Sequence, residues 1–487
     1  MSFPRSGLWR LVHLDVSNAL KTIQVRALIF GCVVLTVMTT SIGAHDFLFR
    51  RAQATSLIDL RSAARTASVA TGVGIVIKVS EPAFRAIRFP NPYSIFVRGT
   101  DADSPAYWDF GAAGIIVGPE PPSLEPTGAA TSVSDAASIA RILLGLLSVM
   151  LAIELIETQR SRGLLPALLA QPVRPGIILL AKCLAAAIVL GATSATVMVV
   201  AGVTVRIEAA PLLSVAVMEF LVGLGLITLT YAFAMFALGT AICVWSRGLG
   251  KATTLSLALW IAVSILGPSL VTFVARSLVS PEPPQLSEDL RQRLYLARED
   301  ATERVLGNAT VRLLGDQAAH ISPKTDPVVL AEIDQIWAAE STETRNFVNE
   351  ISDRDRAEAR LLDRLTGWLT LLGPGALYAQ AASNYAGTGR EAEDSWDEAL
   401  SHYQSYLERT VFDGRARLMF QVPSDEGTRQ VNLLRHPFVI STVMDFEPPA
   451  WPKRATFASA FRRSGLLGAY GALALALGLI GIARLRT

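Results

Sequence analysis

The chain has 487 residues, of which 51% are hydrophobic and 18% charged, with a formal net charge of +2. It is too long for one small domain and too apolar for a soluble charged module or a disordered chain, so its composition is that of a membrane protein. The net charge itself says little, because charge here is sorted by side of the membrane rather than pooled, and no nucleic-acid partner is expected.

In chain order, Met1–Arg26 carries an interrupted apolar and basic pattern (Leu8, Trp9, Leu11, Val12, Leu14, Val16, Leu20) suited to a helix lying in the membrane interface. Crossing a hydrocarbon core takes about 20 apolar residues. Six segments qualify: Ala27–Ala44, Ala137–Ile156, Ile177–Val203, Val215–Val244, Ala252–Ala275 and Gly465–Ile482. Ile42-Gly43-Ala44 before His45 imitates a signal-peptidase site, but the preceding 26 residues are long for a secretory leader, so a retained span is expected. Arg5, Arg10, Lys21 and Arg26 precede the first span, Arg160, Arg162 and Arg174 follow the second, Arg247 and Lys251 the fourth, and Arg484 and Arg486 the last. With six spans all of these fall on one side, which the positive-inside rule makes cytoplasmic. Arg206 is an exception, and Arg462 and Arg463 end a long translocated region where the rule loses force.

The expected fold class is an all-α polytopic membrane protein with six transmembrane helices and both termini cytoplasmic. A smaller mixed α/β outer loop (45–136) and a mainly helical extracytoplasmic domain (276–463) complete it. In the first loop, a helix is expected over Arg51–Thr66, with strand-like runs at Gly72–Val79, Tyr93–Val97 and Gly111–Val117 and a Pro/Gly/Ser-rich connector, Gly118–Ser134. In the second, helices are expected over Ser287–Leu314, about Pro327–Gly367, Ala376–Tyr385 and Glu393–Val411, with one strand at Gln430–Leu434.

Chemistry-bearing patterns are sparse. Cys32, Cys183 and Cys243 lie in apolar runs, and His13, His45, His320, His402 and His436 are scattered, so neither a disulfide framework nor a metal site is expected. Arg247-Gly248-Leu249-Gly250-Lys251-Ala252-Thr253 has Trp245 and Ala252 where a phosphate loop needs Gly and Ser or Thr, and reads as a basic turn between spans. Glu219 is the one acid that could fall within a span: it reads either as a functional intramembrane polar site or as an interfacial residue just ahead of the span. Arg141 is able to snorkel outward. Glu154 and Glu157, three apart, share a helix face and form either an anionic docking patch or ordinary interfacial solvation. The outer domain has no nucleophile in an elbow or glycine-rich setting, so no enzymatic activity is expected. Between the second and third spans, Glu157–Lys182 forms a basic amphipathic segment with a Gly-Leu-Leu start and a Gln-Pro-Val break, placed to lie on the cytoplasmic surface as a short rigid element.

Gln159-Arg160-Ser161-Arg162-Gly163-Leu164-Leu165, then Gln171-Pro172-Val173-Arg174-Pro175-Gly176, then Ala181-Lys182, resembles the ERExGTL motif, Pro-Val-Ser-Arg-like break and Gly-Lys of permease subunits of type-2 ABC transporters, mostly exporters. Arg160, Gly163, Leu165, Pro172, Val173 and Lys182 match; both motif acids are replaced, by Gln159 and Ser161, and Leu164 replaces the usual Thr. Asn91-Pro92, Leu372–Tyr378, Ala386-Gly387-Thr388-Gly389 and Tyr403 to Tyr406 are similar to the subset with a large extracytoplasmic insert between the fifth and sixth spans. The resemblance implies a bacterial inner-membrane, multi-pass permease. Its loop after the second span would be a coupling helix seated in a separate ABC ATPase subunit at the cytoplasmic face, with Met1–Arg26 as an elbow helix. The implied coupling residues are Glu157, Arg160, Arg162, Gly163, Leu164, Leu165, Gln171, Pro172, Val173 and Arg174. ATP and Mg would sit on the partner ATPase, with no cofactor in this chain, and a second permease copy or a paralogue would complete the unit in the lipid bilayer. Two alternatives stay open: an ABC mechanotransmission subunit driving periplasmic machinery through a periplasmic partner, and a membrane-anchored scaffold or sensor binding a partner through 276–463.

Overall fold

The computed structural model describes residues 5–70, 84–101, 104–111, 114–117, 135–170, 174–209, 215–246, 248–278, 357, 361–362, 364–371, 373–407, 409–410, 418–424, 427–433, 443–449 and 453–486. The expected strand at Gly72–Val79, the helix at Ser287–Leu314 and most of that at Pro327–Gly367 lie outside these residues.

Among the described residues, six helices are long and apolar enough to cross a membrane. A short amphipathic helix α1 (Arg5–Lys21) precedes the first, α2 (Ile23–Ala70). The others are α3 (Ala136–Ser161, with a π turn at Ile153–Thr158), α5 (Pro175–Glu208), α6 (Val215–Trp245), α7 (Leu249–Trp260, continuing through a π turn at Ile261–Leu266 into Gly267–Leu278) and α10 (Lys453–Arg486). The short α4 (Leu164–Leu169) links α3 to α5. Six crossings put both ends of the chain on one face, here termed the terminal face; the opposite face is the distal one.

The bundle packs by close approach of small residues, as helices must where lipid removes the hydrophobic drive between them. A Cβ on Gly239 of α6 would meet Ala152 of α3 at 2.9 Å, and Gly471 of α10 lies against Ala234 of α6. Val12 and Ala19 of α1, Cys32 of α2, Leu144 and Leu151 of α3, Ala185 and Leu190 of α5 and Phe236 of α6 share one buried cluster.

Helix α2 has 48 residues, about 72 Å at 1.5 Å per residue, against a hydrocarbon core of about 30 Å. The separate helix expected at Arg51–Thr66 is therefore the continuation of the first span, because no Gly or Pro interrupts the run between Ala44 and Ala70. Beside this rod β1 (Arg85–Ile87), β2 (Tyr107–Gly111) and β3 (Gly114–Val117) form an antiparallel sheet in that order, Arg85 opposite Asp109 and Trp108 opposite Val117. The run Tyr93–Val97 is not a strand. Asn91 caps a 3₁₀ turn at Pro92–Ile95 by accepting from the Tyr93 N–H, and Pro92 presets its first residue. Helix α9 (Arg390–Leu407) lays Trp396, Leu400 and Tyr403 on this sheet in a second core with Phe84, Trp108, Phe110 and Phe446. There burial raises the Tyr403 phenol to about 12, so it stays a hydrogen-bond donor, to the Met444 carbonyl at 3.1 Å. The expected strand at Gln430–Leu434 falls in β5 (Gly427–Leu433), paired antiparallel with β4 (Leu418–Ser424).

The helix expected at Ala376–Tyr385 forms as α8 (Pro374–Ala386), but it packs among the spans rather than in an outer domain. Tyr385, near its end, stacks on Phe220 with ring centroids 5.2 Å apart, and Tyr378 meets Tyr231 at 4.8 Å. Tyr231 is the seventeenth residue of α6, about 24 Å from its distal end. Helix α8 therefore enters the bundle from the distal face with its N-terminus deepest. Its buried hydroxyl is satisfied there: Tyr378 pairs with Thr228 at 3.1 Å. Tyr231 donates to the Arg141 carbonyl at 3.1 Å and pairs with Ser264 at 2.9 Å.

Candidate functional site

At the terminal end of α3 the helix widens into the π turn Ile153–Thr158, which shifts the phase of every side chain after it. Glu157 is thereby turned inward, 2% exposed, while Glu154 is half-buried. The two acids make no exposed anionic patch. Glu157 instead lies 3.5 Å from Arg160.

Helix α3 ends where the Arg162 and Gly163 N–H groups donate to the Thr158 and Arg160 carbonyls, at 3.1 Å each. Gly163 then reverses the chain at φ 76°, a conformation that costs an L side chain about 1–2 kcal/mol. Its carbonyl accepts from Ala167, so the same glycine starts α4. Pro166 sits within the first turn of α4, where a missing N–H costs nothing. Helix α4 buries Leu165 (1% exposed) and leaves Leu164 half out at 51%; Arg162, Gly163, Pro166 and Ala167 are also exposed. Arg174, exposed, precedes Pro175 at the first position of α5. Gln171, Pro172 and Val173 lie outside the described residues.

Two anchors fix the root of this element. Arg160 donates to the Ser246 carbonyl at 2.9 Å, reaching the C-terminal end of α6, where the helix dipole favours a cation. On the other side, Lys182 of α5 (1% exposed) donates to the Gln159 Oε1 at 2.5 Å and lies 3.7 Å from Asp15 Oδ2 of α1. The Gln159 amide closes the triangle by donating to Asp15 Oδ1 at 2.7 Å. Asp15 and Gln159 are 7% and 9% exposed. A charge removed from water is retained only when paired and hydrogen-bonded, and this set meets both conditions.

The sequence-expected residues thus divide. Arg162, Gly163 and Leu164 form an exposed edge together with Pro166 and Ala167, which the motif did not mark. Glu157, Arg160 and Leu165 face inward and root the segment. Asp15, Gln159 and Ser246 were not singled out as partners; the signal was a lone acid, Asp15, within the apolar pattern of α1. Gly248, at φ 99°, makes the turn between α6 and α7. Glu219 is exposed near the distal start of α6, within electrostatic reach of Tyr93 and Tyr385, and is not part of the Tyr378–Thr228 and Tyr231–Ser264 pairs.

On the distal side the two stretches that carried the subset resemblance meet. Asn91 Nδ2 donates to the Ala386 carbonyl at 2.6 Å, and the Thr100 N–H donates to the Thr388 carbonyl at 2.7 Å. Gly387, at φ 64°, caps α8, and a side chain on Gly99 would collide with Thr388. Beside this joint Arg88 grips Glu393 of α9 at 2.7 and 3.0 Å and Asp101 at 3.3 Å.

No curated protein matches the chain. The family model described as ABC-2 family transporter protein matches residues 13–395, from within α1 to within α9 and so across five of the six candidate spans. That match covers more than three quarters of the 487 residues and includes the whole rooted segment between α3 and α5, and the chain therefore belongs to the ABC-2 family of transporter proteins, as a multi-pass membrane permease.

Proposed function

We propose that this permease passes the work of ATP hydrolysis from a separate ABC ATPase subunit to its spans through α4, and that it serves as an exporter in a bacterial inner membrane. The terminal face would then be cytoplasmic, in keeping with the basic residues gathered there. The observation that carries this reading is the build of the α3–α5 connection: a short helix with an exposed edge (Arg162, Gly163, Leu164, Pro166, Ala167), rooted in the bundle by Arg160 and by Gln159. An element that is free on one side and fixed on the other suits a push from outside. ATP and Mg would be held by the partner, and two permease chains, identical or paralogous, would form the working unit.

The test is purification of the full chain, co-expressed with its neighbouring genes, in mild detergent, followed by an ATPase assay. Co-purification, with stimulation lost on Leu164→Asp, supports the reading; a chain that comes out alone, or stimulation that survives this change, removes it.

A second reading, mechanotransmission to machinery beyond the distal face, is favoured by α2. This helix is unbroken from Ile23 to Ala70, and its distal half is fastened to other elements. Arg50 binds Asp101 at 3.0 Å, and Arg65 binds Asp445 at 2.7 Å. A rod of this kind delivers displacement whether or not a substrate passes between the spans.

A further inference from the structure

Lys182 is a cation buried to 1% exposure at the terminal end of α5. Such a charge requires a counter-charge, since leaving it unpaired costs several kcal/mol. The neighbouring side chain on α3 is Gln159, which is neutral, where the motif this segment resembles has an acid. Within the described residues the carboxylate on Lys182 comes from a different element: Asp15, seven residues before the break that separates α1 from α2 at Thr22. Gln159 stands between the two charges, accepting from the lysine and donating to the aspartate.

The consequence is mechanical. Helix α1 is not merely laid on the interface by its apolar face; it is tied by charge to the residue from which the α4 segment departs. Gln159 is four residues before Gly163 and adjacent to Arg160, so a displacement of α4 acts directly on the Asp15–Gln159–Lys182 triangle. From there it reaches α1 and, through the short break at Thr22, the base of α2.

We propose that Asp15 is a positioning residue for coupling: it supplies from α1 the counter-charge that Gln159 lacks, and it makes α1 move with α4 during the ATP cycle. This rests on the coupling role assigned to α4 above. The buried apolar contacts of Val12 and Ala19 with the spans alone would let α1 slide, because they are non-directional; a hydrogen-bonded charge triangle fixes one register.

The experiment uses the full chain with its co-purified ATPase. Spin labels are placed at Arg10→Cys on α1 and Lys251→Cys at the start of α7, both exposed, on a background with the half-buried Cys183 changed to serine. The distance between them is measured without nucleotide and after trapping with ATP and vanadate. The expected result is a vanadate-dependent distance change in the parent and its loss in Asp15→Asn. Asp15→Asn/Gln159→Glu returns a carboxylate to Lys182 from α3 and should restore the melting temperature but not the distance change, since α1 then brings no charge; a full return of the distance change in this variant overturns the proposal. ATPase stimulation should fall about fivefold in Asp15→Asn and stay low with the second change, the effect of one pair coupling of ordinary size.

Because Asp15→Asn strands a buried lysine, Asp15→Asn/Lys182→Met serves as the folded control, since replacing both members of a buried pair is far milder than removing one. It should retain the parent's melting temperature and lose the distance change. A distance change in this double variant equal to the parent's overturns the proposal, as does a parent distance that stays fixed with the ATPase bound and active. Both outcomes leave the role of α4 standing. A chain that binds no ATPase removes that role, and this proposal with it.

Discussion

Gly163 shows how one backbone angle decides what a short element is able to do. At φ 76° it lets α4 start with only Arg162 and Gly163 between it and the end of α3, so little slack separates the exposed edge from its root. Gly163→Val is expected to strain this turn by about 1–2 kcal/mol without touching the core, since no atom of the described residues lies within 4 Å of the position a Cβ would take. The measurement is paired: the melting temperature of the membrane domain should fall by only a few degrees, while stimulation of the partner ATPase should drop. Equal values for both in variant and parent would show that α4 tolerates another geometry. Arg88 gives a contrasting case on the distal side. Its guanidinium is buried to 4% exposure between Glu393 and Asp101 and lies over the Trp396 ring at 5.2 Å. Arg88→Met leaves Glu393 without its cation, while Asp101 keeps Arg50 at 3.0 Å, and should cost roughly 3 kcal/mol. Thermal unfolding followed by tryptophan fluorescence should register it as a lowered midpoint.

At the level of elements, the α8 seat depends on a missing side chain. Gly223 of α6 opens the space that the Tyr385 hydroxyl occupies, and a Cβ there would overlap it. Gly223→Leu should therefore lower stability by about 1–3 kcal/mol, the usual cost of overpacking. Adding Tyr385→Ala, which vacates the seat, should recover most of the loss in the same unfolding assay. The apolar runs made all six spans legible in the sequence, and α8 and α9 were legible as helices, α9 by the spacing of Trp396, Leu400, Tyr403 and Leu407. What the sequence could not display was where α8 goes. A 13-residue helix is too short to span, so its length assigns it to the outside although it is rich in alanine and tyrosine. Its burial depends on Thr228 waiting on another helix to take the Tyr378 hydroxyl. The same limit applies at the candidate site. The glycine and arginines of the segment stood out by type, but Asp15 and Gln159 acquire meaning only through Lys182, 167 and 23 residues away in the chain. The π turn that rotates Glu157 inward has no sequence mark at all, because one extra residue in a helical turn leaves composition and hydropathy unchanged.

Across the whole molecule, α2 is the element that reaches from one face to far beyond the other. If it carries displacement, interrupting it above the membrane should separate the two halves of the protein functionally. Gln53 is exposed on its distal part, and proline there breaks the helix at a cost of about 3 kcal/mol. The mechanotransmission reading expects Gln53→Pro to leave ATPase stimulation near the parent value while abolishing any ATP-dependent change in hydrogen exchange at Arg85–Ile87. Pure transport between the spans expects little effect on substrate movement.

The joint between Asn91 and Ala386 also sets a timetable for the chain's own making. Asn91 and Arg88 emerge before the second span, yet Ala386 and Glu393, which satisfy them, follow the fifth, 295 residues later in the case of Asn91 and Ala386. At 5–20 residues per second that interval is about 15–60 s. Throughout it, the first outer loop must keep its polar groups in water and its apolar strands unpaired with α9. The seal of the distal face is thus among the last events of biogenesis, and a ribosome that stalls within the fourth or fifth span leaves behind an inserted but open protein, recognisable to quality control by that unsealed edge.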